Sequence, residues 1–469
     1  MRGGFEIELN EKVLCSELSG EPSANGIFEH SDTGIRTRLA VFGEGRYINV
    51  DLPIFLATER SQIVSLHRNF RVSSESRGYS HSDHRPIHLV EIGSNIALSG
   101  PDPWTEKDLV RRISFEIEGS FAVLYNHQRI ESFKDRSDGR HENWRVIELR
   151  LAYGRLSVFY TGTYSYYTDT WNKVEPRFEF DFDDGVPLES YEKFILPVVW
   201  FISYLIGSRL SPSNISVSRE TLAEMEGRIS GKRPSSEHLL FVKYSAVKHA
   251  ANMSAPHGSP ARTSDEVETS AFSASLSVWL QRAHDWYETY GLLNKSFGMQ
   301  DELSEERVLN TCRLLQRIPS AKALETLDDS IFVHISSMAT KAAEIQSRPD
   351  LSGRIQNALR DLRFEPRRIR LSRLVTSAWE GFELPQGIDQ MVEDLDQLLI
   401  HRGTAAHGVL FKDRSTNMSE IQRCISAGEA LCYLLISREL PLSETGRGQL
   451  YFSRLVENYR LLCMSRLRT

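Results

Sequence analysis

The stretch NMSAPHGSPARTSDEVETS, residues 252–270, divides this 469-residue chain into two halves of different rhythm. It is rich in Ser, Pro, Ala and Gly and poor in large apolar side chains, the composition of a linker or surface loop. Before it, apolar residues recur at every second position. After it, they recur at every third or fourth. The expectation is an α+β multidomain chain, with a β-rich N-terminal domain over residues 1–250, a linker over 251–270 and an all-α helical bundle over 271–469.

Upstream, RFEFDF (177–182) sets Phe178, Phe180 and Phe182 on one face and charges on the other, as in a half-buried strand. WRVIELRLAYGRLSVFYTGTYSYY (144–167) reads as two strands turning at Gly154, and RRISFEIEGSFAVLYN, RTRLAVFG, NISVSRE and HLLFVKYS read as further strands. PLESYEKFILPVVWFISYLIG (187–207) reads as a helix packed on them, with Pro187 suited to its first turn. Its apolar core, FILPVVWFISYLIG, is shorter than the roughly 20 residues a membrane span needs and contains Pro197. Downstream, segments such as SEERVLNTCRLLQRI (304–318), LSGRIQNALRDLRF (351–364) and GIDQMVEDLDQLLIHRGTAAHG (387–408) carry helical spacing.

Composition narrows the function. The net charge of −7 argues against a general polyanion binder, while leaving room for a local basic patch. The cysteines, Cys15, Cys312, Cys424, Cys432 and Cys463, are odd in number and form no CxxC pair, which fits free thiols in a reducing compartment. MRGGFEIELN lacks the apolar core of a signal peptide, so the expected location is cytoplasmic, with no membrane partner. No Walker loop, GxSxG elbow, HExxH helix or GxGxxG turn is present, which speaks against nucleotide hydrolase, esterase and metalloprotease readings. No cofactor and no metal are expected.

The chemistry-bearing stretch is LLIHRGTAAHGV (398–409). Met391, Leu395 and Leu398 form an apolar stripe, and Arg402 continues it. His407 follows, then Gly408 as a stop. An arginine or histidine near a helix end can simply be favoured by the dipole. The same pair can also cleave RNA. An imidazole takes or gives a proton near neutral pH, and a guanidinium holds a phosphate and its developing charge. Positions five apart lie about 140° apart around a helix. The two side chains converge only through the reach of the arginine, an irregular turn at Gly403, or a second copy alongside.

R-x4-H at the end of a helix, followed by Gly, in a helical C-terminal domain resembles the HEPN superfamily of ribonucleases. The β-rich half before it resembles the layout of the ApeA-type anti-phage HEPN proteins of bacteria. The resemblance implies an endoribonuclease of abortive infection that cuts RNA, tRNA included, by 2′-hydroxyl attack and leaves 2′,3′-cyclic phosphate ends. It implies a homodimer with both motifs at the shared interface, and an N-terminal domain that senses or restrains in response to a phage-derived trigger. Arg402 would bind phosphate and His407 would act as acid or base. Asp396, six residues before the arginine as in some members, would orient His407 of the partner subunit or pair with Arg402. Gly403 departs from the polar residue often found there. Some members are non-catalytic RNA-binding or scaffolding modules, which is the alternative reading.

Four other groups stand out. RFEPRRIRLSR carries Arg363, Arg367, Arg368, Arg370 and Arg373, either a phosphate-tracking patch or a charged connection paired with nearby acids; Arg460, Arg466 and Arg468 are a weaker version. Glu393, Asp394 and Glu325 read as solvated helix-face acids or as further supporting acids. His81, Asp83, His84 and His88 have spacing open to zinc but read better as a polar loop. Tyr160, Tyr164, Tyr166, Tyr167 and Trp171 form either a recognition surface or the packed face of a hairpin.

Overall fold

The computed structural model describes residues 10–15, 24–31, 34–42, 53–58, 62–79, 86–134, 145–165, 170–229, 237–242, 258–345, 354, 355, 359, 363–411 and 417–466. It has a large antiparallel sheet in the N-terminal half and a helical C-terminal region, as the change of period predicts. The chain divides into two compact units: residues 1–199, 210–253 and 263–269, and residues 200–209, 254–262 and 270–469.

In the first unit the strands are β1 (Asn10–Cys15), β2 (Ala24–Ser31), β3 (Gly34–Phe42), β4 (Ile54–Thr58), β5 (Ile63–Tyr79), β6 (Pro86–Gly100), β7 (Leu109–Ile117), β8 (Arg145–Leu151), β9 (Gly154–Ser165), β10 (Thr170–Pro187), β11 (Pro212–Ser218) and β12 (His238–Val242). Their order is β3-β2-β1-β4-β5-β6-β12-β11-β7-β10-β9-β8, with a further pairing of β3 to β6. That pairing closes β1–β6 into a six-stranded ring. β3 shows why: Ile35, Thr37, Leu39 and Val41 are buried, while Arg36 and Arg38 between them are exposed. The inward residues join Phe28, Ile54, Leu56, Val64, Leu66, Val90 and Ile92 in one core. The interior of this barrel is filled with side chains, as is usual for small barrels.

β6 then continues past the barrel, pairing Ile96–Ser99 with β12 and so leading into the open sheet. There Phe178, Phe180 and Phe182 line up with Phe115 as expected. Their opposite face is also covered, against expectation. Glu179 is buried with Arg112, whose guanidinium reaches Glu179 at 3.1 Å and Glu237 at 2.6 Å. The alternating charge in RFEFDF therefore marks a buried ion pair.

Among the described residues, four short or medium helices belong to this half of the chain: α1 (Phe121–Leu124), α2 (His127–Lys134), α3 (Tyr191–Ile206) and α4 (Leu222–Ile229). Pro187 is the last residue of β10 and precedes a 3-10 turn, so α3 starts later than its sequence suggests. Phe194 packs edge-on against Phe182 at 4.8 Å. From Trp200 onward the helix counts with the second unit, where Phe201 meets Phe272 and Trp279, and Tyr204 donates to Ser437 at 2.7 Å. The expectation of a helix packed on the β-rich sheet holds for the start of α3, and its later residues count with the helical unit.

The helical unit contains most of α5 (Glu266–Gly298), then α6 (Glu305–Arg317), α7 (Asp329–Ile345), α8 (Arg367–Trp379), α9 (Gly387–Ala406), α10 (Met418–Arg438), α11 (Glu444–Gln449) and α12 (Arg454–Arg466). The expected linker is corrected where it is described. Ser259, Ala261 and Thr263 are buried, and α5 already begins at Glu266. A side chain at Gly258 would strike the backbone of Phe452, and one at Gly446 would strike Pro260. Small residues there serve close backbone packing rather than a solvated loop. Among the described residues no helix is long and apolar enough to cross a membrane.

Candidate functional site at the end of α9

α9 buries Met391, Val392, Leu395, Leu398 and Ala405. Arg402, expected to continue this stripe, is exposed instead. Counting about 100° per residue from Leu398, Ala405 falls about 20° to one side and Arg402 about 40° to the other. The core therefore closes on Ala405, and the long arginine leaves along its edge. Gly403 and Thr404 are exposed as well, with nothing within 4 Å of a side chain placed at Gly403.

The helix ends in a geometrically defined cap. His407 is the C-cap, with φ −96° and ψ 2°, and Gly408 adopts φ +64°. The Gly408 N–H donates to Ala405 at 3.0 Å and the Val409 N–H to Thr404 at 3.3 Å. This is the paired-bond motif that ends helices at a left-handed glycine. The chain then turns so that Leu410 enters a core of Val308, Cys312, Leu398, Ala405, Ile421, Cys424 and Ile425. The Leu410 N–H donates to Glu305 Oε1 at 3.0 Å. Glu305 opens α6, whose N-cap Ser304 accepts from the Arg307 N–H. Arg307 itself is buried, holding Glu429 through two bonds of 2.9 and 2.7 Å.

Among the described residues, neither Arg402 nor His407 makes a side-chain hydrogen bond or ion pair. The Arg402 charge is felt at Cys312: burial, partly opposed by Arg402, pushes that thiol up to about 12. Burial holds His401 below the usual imidazole range against the pull of Glu420, and its buried Nε2 has no hydrogen-bond partner among the described residues.

The acids do not join this pair. Asp396 lies 2.6 Å from Arg367 of α8, so it is engaged away from Arg402. Asp394 is buried, and burial pushes its carboxyl above the usual range; Arg423, Gln390 and Tyr459 all donate to it. It ties α9 to α10 and α12 and is not a solvated acid. Glu393 accepts from Arg368 at 3.3 Å, and Glu325 from Arg363 at 3.0 Å.

The arginine cluster is largely spent within the chain. Arg363 pairs with Glu325 and Asp329, Arg367 with Asp396 and Arg368 with Glu393. Arg370 donates to the Ala321 carbonyl at 2.7 Å, and Arg373 binds Glu365 at 2.5 Å. Arg367 and Arg368 remain more than half exposed. Arg460 lies 3.5 Å over the Tyr451 ring; Arg466 ends α12, and Arg468 is outside the described residues.

Of the remaining groups, Tyr160 is buried, donating to the Leu124 carbonyl and accepting from the Asn126 N–H. Tyr164 pairs with Trp171 across the β9–β10 hairpin, while Tyr166 and Tyr167 lie outside the described residues. His88 sits in β6, and His81, Asp83 and His84 are outside the described residues. Cys312, Cys424, Cys432 and Cys463 are buried. Sequence reasoning missed Glu305 and the Arg307–Glu429 pair. A serine cap and first-turn acids mark the start of α6, but nothing in the sequence ties them to residues 408–410. Comparison with protein-family models, curated proteins and solved structures gives no match to this chain.

Proposed function

We propose that this chain is a metal-independent endoribonuclease of HEPN type, acting in the bacterial cytoplasm in anti-phage, abortive-infection defence. One observation carries the reading: Arg402 and His407 are exposed, without side-chain partners among the described residues, at a rigidly capped helix end. A guanidinium not neutralised by the chain's own acids is available to a phosphate. The His407 imidazole takes the proton from the ribose 2′-hydroxyl as the oxygen attacks phosphorus. The 5′-oxygen leaves, and a 2′,3′-cyclic phosphate remains. One histidine serves poorly as both base and acid, so two copies in a homodimer share the roles. The β-rich domain senses a phage-derived trigger.

A second reading, a non-catalytic RNA-binding or dimerisation scaffold, is favoured by Gly403, and the self-paired arginines of residues 363–373 favour its dimerisation form over RNA binding. The deciding experiment incubates total RNA and tRNA with purified protein in excess EDTA, alongside Arg402→Ala and His407→Ala. Cleavage by wild type alone, leaving cyclic phosphate ends, is the expected result. Cleavage that survives in His407→Ala would sink the proposed site, and RNA binding without cleavage would favour the scaffold.

A further inference from the structure

We propose that Glu305 is the positioning residue of the His407 site, a role that rests on the nuclease reading above. The geometry starts from Gly408. Its φ of +64° turns the chain out of α9 directly after His407. On its far side that turn meets α6, where Glu305 Oε1 accepts the Leu410 N–H at 3.0 Å. Glu305 Oε2 lies 3.7 Å from where a side chain on Gly408 would begin. The carboxylate is therefore set against the backbone that follows His407, at ordinary contact distance from position 408. Glu305 in turn belongs to a fixed element. Its helix is capped by Ser304, and two residues on, Arg307 is locked to Glu429 in the core. His407 is thus framed from two sides, by the helix cap within α9 and by α6 through Glu305. A histidine at a helix end otherwise frays with the last turn. Proton transfer needs the imidazole held to within a fraction of an ångström.

The test compares Glu305→Ala, Glu305→Gln and Glu306→Ala in the full chain. Glu306 is the adjacent first-turn acid, pairs with Lys295 at 2.6 Å, and among the described residues makes no bond to the turn. It controls for loss of helix-terminal charge. Glutamine keeps an oxygen to accept the Leu410 N–H. In hydrogen exchange, Glu305→Ala should lose protection at Leu410, while Glu305→Gln and Glu306→Ala keep it. In RNA cleavage, Glu305→Ala should lose roughly tenfold to a hundredfold in kcat with KM nearly unchanged, and Glu305→Gln should restore most of it. Retained Leu410 protection in Glu305→Ala would overturn the anchor. Lost protection with an unchanged kcat would overturn the positioning role. With a wild type that cleaves no RNA, a scaffold or an enzyme awaiting its trigger, the exchange result alone decides, and retained Leu410 protection in Glu305→Ala overturns the proposal.

Discussion

Gly408 and His401 show how much the candidate site depends on single residues. Gly408 stands in the left-handed region, where a Cβ costs roughly 1–2 kcal/mol. Gly408→Ala should therefore lower stability by about 1 kcal/mol in urea unfolding, and Gly408→Asn by less, since asparagine tolerates this conformation. Equal losses would mean that the backbone conformation is not the reason for glycine. His401 makes a pH prediction. Burial lowers its folded pKa below the ordinary 6.5. Between the two values the unfolded chain binds more protons, so stability rises with pH there and is lost as pH falls below 6.5. His401→Gln should flatten that part of the stability profile, and an unchanged slope would remove His401 as its source. The motif residues were legible at this scale. Their exposure was not, because a line of positions on a helix does not say on which side of it a long side chain leaves.

At the scale of elements, the helices α6, α9 and α10 cross closely enough that one glycine decides their spacing. A side chain at Gly428 would sit 2.5 Å from Leu398 Cδ2 and 2.7 Å from Thr311 Cγ2, both in a packed interior. Alanine gains up to about 1 kcal/mol of helix preference, but overpacking costs roughly 1–3 kcal/mol. Gly428→Ala should therefore be net destabilising in urea unfolding. A stabilised variant would show that α9 can move away, and with it the end that carries Arg402. Periodicity revealed α9 and α10 as helices and β7 and β10 as strands. It did not reveal what their polar positions do. Glu179 and Asp394 look like solvent-facing residues in one-dimensional patterns, yet each is buried with an arginine from a distant segment. The same blindness explains the misread stretch around Gly258, where small residues mark close packing that composition alone assigns to a loop.

Over the whole molecule, the order of strands followed by helices was visible from the change of period at residues 252–270. Closure of the barrel was not, because the β3–β6 pairing joins segments whose hydrophobic alternation would serve an open sheet equally well. Charge distribution has a similar hidden layer. A net charge of −7 coexists with five arginines between residues 363 and 373, and the structure pairs most of them with acids of their own chain. If those pairs persist when RNA binds, few phosphates are neutralised. For a dimer using one Arg402 from each copy, log K should then fall with log salt at a slope of about −1.4, from roughly −0.7 per contact on single strands. If the five clustered arginines of one copy joined its Arg402, the slope would approach about −4. Binding of single-stranded RNA to the His407→Ala protein across a salt series separates the two. The shallow slope is expected, because each clustered guanidinium must first give up a partner already in place. A steep one would mean that RNA displaces the acids, and that Asp396 and Glu393 are its internal competitors.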